Sequence, residues 1–159
     1  MNIFILDEDL EKCARYHCNK HVVKMVLEYA QILSTVCRKN GMDEGYKATH
    51  KNHPCVIWAE QCLDNWFYVK YLALEVNKEY KFRYGRDHAS SFVIKDLVPP
   101  VLPIIGHLTE PPQAMPDDVK DVSYVKAYRN YYIKYKNHMV DWYPREEPWW
   151  YNSEGILLR

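Results

Sequence analysis

The sequence predicts an all-α fold, a single-domain helical bundle, and three observations predict it. Apolar residues between Asp9 and Lys39 recur with the period of an α-helix. The stretch from Cys55 to Phe82 is apolar nearly all round and long enough for a central, buried helix. The segments between carry helix punctuation, with Asp9, Pro54 and Ser123 suited to starts and Gly41 and Gly85 to stops. A chain of 159 residues, 48% hydrophobic and 26% charged, can bury one sizeable core.

Taken in order, Met1 to Leu6 reads as an extended start, and Asp7 or Asp9 caps a helix with an acidic first turn that runs to Asn40-Gly41, with room for a kink near Cys18-Asn19. On a helical wheel of about 100° per residue, Leu10, His17, His21, Lys24, Glu28 and Gln31 fall on one strip, opposite Val22, Met25, Val26, Tyr29, Ile32, Leu33 and Val36. That strip is either a solvated face or a site. A polar loop with two glycines follows and ends in Thr49-His50-Lys51-Asn52-His53-Pro54, where proline suits the first helical position and Asn52 or His53 the cap. His50, Asn52 and His53 would then stand at a helix mouth that favours anions.

After the central helix, Arg83-Tyr84-Gly85-Arg86-Asp87-His88 reads as a tight corner into a short helix ending near Leu97. Its two arginines and one histidine suit a phosphate as well as they suit the helix dipole. Residues 98–118 hold six of the nine prolines and form a Pro-rich irregular segment, in which Gln113 could pair with a base edge. Ser123 caps a last helix from Tyr124 to about Met139, and residues 140–159 are too aromatic for a free tail and should pack back on the bundle.

Composition narrows the function classes. The 21 basic residues balance 21 acidic ones, so a long duplex footprint gripped by charge alone is not favoured. The run from Val119 to His138 is locally basic, and Arg129 within it is a candidate anion contact. Five cysteines at uneven spacing suggest a reduced, intracellular, cytoplasmic protein. No apolar run reaches the roughly 20 residues that span a bilayer, so no membrane partner is expected. No G-x-S-x-G, P-loop, G-x-G-x-x-G or H-E-x-x-H is present. Cys13, His17 and His21 fall within about 80° on the wheel, which allows a metal-dependent phosphohydrolase as one alternative. No fourth ligand is identifiable, and the expectation is no metal and no cofactor.

Two resemblances then apply. The blocks Tyr16-His17-Cys18-Asn19-Lys20-His21-Val22-Val23-Lys24-Met25 and Thr49-His50-Lys51-Asn52-His53-Pro54-Cys55, with Arg83-Tyr84-Gly85, Gln113-Ala114-Met115-Pro116 and Tyr128-Arg129, resemble a group of phage and large-virus proteins. More distantly, the plan is similar to the pyrimidine-dimer DNA glycosylases of the phage endonuclease V type, which are single all-α domains with the N-terminus at the active site. In that family a first helix carries Arg-Glu-x-x-Arg and a Gly-His or Asn-His opens the central helix; Lys20-His21-Val22-Val23-Lys24 and Asn52-His53 stand there in this chain. The family's nucleophile is the α-amine of a small residue exposed by removal of the initiator methionine. Asn2 is not small, so the resemblance implies a retained Met1 as the amine and His21 at the position of the catalytic glutamate.

Together these readings give an N-glycosylase-like enzyme acting on DNA or a nucleotide in viral or phage DNA metabolism. The expected catalytic residues are His17, His21 and Met1. The expected substrate contacts are Lys20, Lys24, His50, Asn52, His53, Arg83, Arg86, His88, Gln113 and Arg129. The second alternative is a nucleotide- or nucleic-acid-binding module without catalysis.

Overall fold

The computed structural model describes all 159 residues, and every regular element in it is helical. The helices are α1 (Leu10–Tyr16), α2 (Asn19–Lys39), α3 (Pro54–Gln61), α4 (Leu63–Tyr84), α5 (Ala89–Asp96) and α6 (Tyr124–Tyr135), with a 3₁₀ turn at Asp117–Val119 before α6. Asp9 caps α1 through its carboxylate, which accepts from the Lys12 N–H at 2.9 Å, and Ser123 caps α6 through its hydroxyl. Gly85 ends α4 at φ 78°, a left-handed position that costs a side chain energy.

The first two long helices of the sequence reading are each broken. The first divides at His17-Cys18, where Cys18 is extended, and the second at Cys62, with φ −158° and ψ 163°. Neither break carries glycine or proline. The freed groups find distant partners instead: the Asn19 N–H donates to the Asp141 carbonyl at 2.7 Å, and the Leu63 N–H to the Pro103 carbonyl at 2.9 Å.

One contiguous core unites the helices. α2 packs most extensively on α4 and also touches α3 and α5, while α1 lies against α4. The central helix is not apolar-buried all round as read from sequence: α4 buries Trp66, Val69, Leu72, Ala73 and Val76, whereas Tyr71 and Phe82 face solvent. In the C-terminal segment Trp142 and Trp150 are buried, and the Trp142 Nε1–H donates to the Tyr16 carbonyl at 2.7 Å. Arg145 clamps Glu79 of α4 at 2.6 Å, which closes the strap over the α1–α2 elbow.

Extended residues Ile3 to Leu6 are wholly buried, and their backbone groups are satisfied by side chains rather than by a sheet. The Phe4 N–H donates to the Tyr29 hydroxyl, the Cys13 thiol to the Phe4 carbonyl, and the Arg129 Nε–H to the Leu6 carbonyl. This threading carries the chain start across α2.

Candidate active site

At the end of that thread the Met1 side chain is only 3% exposed, packed on the core, and its α-amine stands 3.6 Å from Glu28 Oε1. The other oxygen of Glu28 lies 3.8 Å from Lys24 Nζ, one turn up the same face of α2. Lys24 is well exposed and Glu28 is 15% exposed, so the carboxylate is recessed between two cations. The α3 cap adjoins this point. Cys55 and Ile3 are buried in one core cluster, and the charges of the N-terminal amine and of Glu28 both act on the His53 ring.

The histidines of the strip are not solvent-facing. His17 is completely buried: its Nδ1–H donates to the Cys13 carbonyl at 2.8 Å, and its Nε2 accepts from the Tyr29 hydroxyl at 2.8 Å. Burial lowers its pKa to about 4, so it is neutral at pH 7 and has no nitrogen free for a substrate. His17, expected as an acid–base group, instead holds Tyr29, which holds Phe4. His21 stacks on Phe4 with ring centroids 4.3 Å apart, and its Nδ1 accepts from the Tyr132 hydroxyl at 2.5 Å. Burial first, then His17 and the nearby cations Lys136, Lys24 and the chain amine, lower its pKa to about 2. It too stays neutral, which removes the acid–base role near neutral pH read from sequence.

Other expected contacts divide. Lys20, Lys24, His50, Asn52 and Arg86 are exposed. His50 has φ 49° and its Nδ1 meets the Thr49 hydroxyl at 2.8 Å. His53 caps α3, its Nδ1 accepting from the Cys55 N–H at 3.0 Å.

Four candidates are engaged elsewhere by the protein itself. The Arg83 side chain is 1% exposed and bonded to Glu79, the Arg15 and His17 carbonyls and Asn19. Arg129 grips the Leu6 carbonyl and Asp7 and lies over Tyr16, Trp149 and Trp150. His88 caps α5 and donates to the Val23 carbonyl, and both ends of the Gln113 amide bond to the Asp121 backbone. In each case a buried or half-buried polar group had to be matched, and the protein supplies the match.

No group of three His, Cys, Asp or Glu side chains is arranged to hold a metal. Cys13, His17 and His21 share a side of the wheel, but Cys13 donates to Phe4 and both nitrogens of His17 are taken. The metal-hydrolase alternative thus loses the ligand set it rested on. A cleft of about 390 Å³ lies beneath the C-terminal strap beside Trp142, Tyr143 and Tyr151, and an apolar one of about 470 Å³ lies between α4 and the Pro-rich segment. Met1 and Glu28 line neither. No helix is long and apolar enough to cross a membrane.

Glu28 is the residue that sequence reasoning passed over. Its signal was present: it is the only carboxylate on the strip, one turn from Lys24.

The fold and the site define a class of protein, an all-helical frame that sets a chain-terminal amine against a recessed carboxylate. The class has a family. Residues 1–91 match the family model described as pyrimidine dimer DNA glycosylase, and the chain belongs to that family. The match takes in Met1, Lys24, Glu28 and His53 and ends within α5. No match was found among curated proteins or among solved structures.

Proposed function

We propose that this chain is a DNA N-glycosylase that excises a damaged pyrimidine through a covalent sugar adduct, with the Met1 α-amine as nucleophile and Glu28 as its carboxylate partner. The observation that carries the reading is the 3.6 Å amine–carboxylate pair inside the family-matched region. The setting we propose is DNA repair in a virus or phage, on the strength of the blocks shared with such proteins.

In this mechanism the chain-terminal ammonium first gives up a proton to solvent; the amine lone pair then attacks the sugar C1′, the C1′–N bond breaks, and its electron pair leaves with the base, which takes its proton from solvent. Glu28 accepts a proton from the new ammonium. The nitrogen lone pair then opens the ring at C1′–O4′, Glu28 returns the proton to O4′, and an iminium remains on the protein. Lys20 and Lys24, exposed on the N-terminal half of α2, are the proposed phosphate contacts, with His50 and Asn52 from the α3 loop. His21 and His17 act as buried supports for Phe4 and Tyr29 rather than as acid–base groups.

The test is borohydride trapping on ultraviolet-irradiated duplex and on duplex with a preformed abasic site, with chelator throughout. A covalent protein–DNA adduct is expected, with peptide mapping placing the sugar on the Met1 nitrogen, and Glu28→Gln should lower its rate by about 100-fold. Absence of an adduct from both substrates, or mapping to another residue, overturns the proposal.

A further inference from the structure

We propose that His53 is the hydrogen-bond donor for the departing base, held as its Nε2–H tautomer by the cap it makes on α3; this rests on the amine mechanism above. The ring is not free to choose its tautomer. Nδ1 accepts the Cys55 N–H at 3.0 Å, so in the neutral ring the hydrogen sits on Nε2. Protonation at Nδ1 would set two hydrogens against each other and break the cap.

The ring is also not free to move away. The His53 N–H donates to the His50 carbonyl at 2.9 Å, which closes the turn, and Pro54 fixes the entry into α3. Two residues on, Cys55 is wholly buried in the same core cluster as Ile3, which lies two residues from the reacting amine. The ring is half-buried, and its Nε2 makes no hydrogen bond to the protein. Burial, then the charge of the chain amine, lower its pKa, so the neutral donor persists at neutral pH.

The chemistry asks for such a group. A base that leaves with the electron pair of the C1′–N bond carries negative charge on its ring nitrogen and carbonyl oxygens, and a fixed N–H lowers the barrier by meeting that charge as it forms. Glu28 repels it, and both ring nitrogens of His17 are bonded inside the protein, while the His21 ring is stacked on Phe4 and accepts at Nδ1 from Tyr132. His53 would meet that charge without transferring a proton itself.

The separating experiment uses two steps and two variants. His53→Asn keeps an oxygen to cap the Cys55 N–H and lacks the Nε2–H; His53→Ala loses both. Base release from a lesion-bearing duplex is measured under single-turnover conditions, beside borohydride trapping on a duplex whose abasic site is already formed and has no base to expel. For His53→Asn, release should fall by about 10-fold or more while trapping on the abasic duplex stays within about twofold, with the melting temperature unchanged. His53→Ala should show the same split and in addition melt earlier. Unchanged release in His53→Asn, or equal loss in both assays, overturns the donor role while leaving the amine mechanism standing. A wild-type chain that neither releases base nor traps overturns the amine mechanism, and this role with it.

Discussion

Arg83→Met should unfold the protein earlier without changing how it responds to salt on DNA. The guanidinium donates from Nε to Glu79 at 2.9 Å, from one terminal nitrogen to the His17 carbonyl at 2.8 Å and Asn19 Oδ1 at 3.0 Å, and from the other to the Arg15 carbonyl at 2.9 Å. Methionine fills much of the volume and makes none of these bonds. Glu79 keeps Arg145, so the cost of the broken pair falls at the low end of the usual range for buried pairs, about 3 kcal/mol. The His17 carbonyl, left inside without a donor, adds about 1 kcal/mol. A total near 4 kcal/mol corresponds to a melting temperature lower by about 8–16 °C for a chain of this size. Circular dichroism melts of the two proteins measure it, and the salt dependence of DNA binding measured at a temperature where both are folded supplies the contrast. Were Arg83 a phosphate contact, the variant would melt within about 2 °C of wild type and its salt slope would drop by about one unit. That result would refute the placement of Arg83 as a brace for the elbow.

Two further outcomes follow from the interior. The folded-state pKa of His17 is lowered to about 4 from 6.5, so between those values the unfolded chain binds a proton that the folded chain does not. Stability is therefore full above about pH 6.5 and falls toward pH 4 by about 1.4 kcal/mol per pH unit from this group. Urea midpoints across that range should decline in the wild type and decline less steeply in His17→Gln, and equal slopes would show that His17 does not titrate on unfolding. Gly45 has φ 70°, and a Cβ there would sit 2.3 Å from the Ser34 hydroxyl, which is itself fixed between the Ala30 carbonyl and the Tyr46 N–H. Gly45→Ala should cost about 2 kcal/mol or more, seen as a lower urea midpoint, and a midpoint equal to wild type would contradict the close approach.

Local chemistry made part of this fold legible. Asp9, Ser123, Pro54 and Gly85 act at the positions where their side chains or backbone freedom suggested, because a cap is a contract between residues two or three apart. The two helix breaks were not legible for the opposite reason. Their partners are Asp141, Tyr132 and Arg83 at one and Pro103 at the other, all remote in sequence. The site divides in the same way. Lys24 and Glu28 could be aligned on a wheel, but the path of Met1 to Leu6 across α2, which brings the amine to Glu28, depends on side chains of Cys13, Tyr29 and Arg129. The wheel could not show the burial of His17 and His21, since Phe4 of the N-terminal thread and Tyr132 of α6 cover the face that one helix alone would leave wet.

The strap over the elbow has a consequence for the order of biosynthesis. Asn19 is bonded by its side chain to the Tyr143 carbonyl, 124 residues downstream, and by its amide to Asp141. At translation rates of about 5–20 residues per second, on the order of 6–25 seconds separate the appearance of the elbow from that of the residues that close it. During that interval a nascent chain already carries Met1, Lys24, Glu28 and His53, yet lacks Trp142 against Tyr16 and Arg145 against Glu79. The proposed site is thus among the first parts made, and its support is completed by nearly the last.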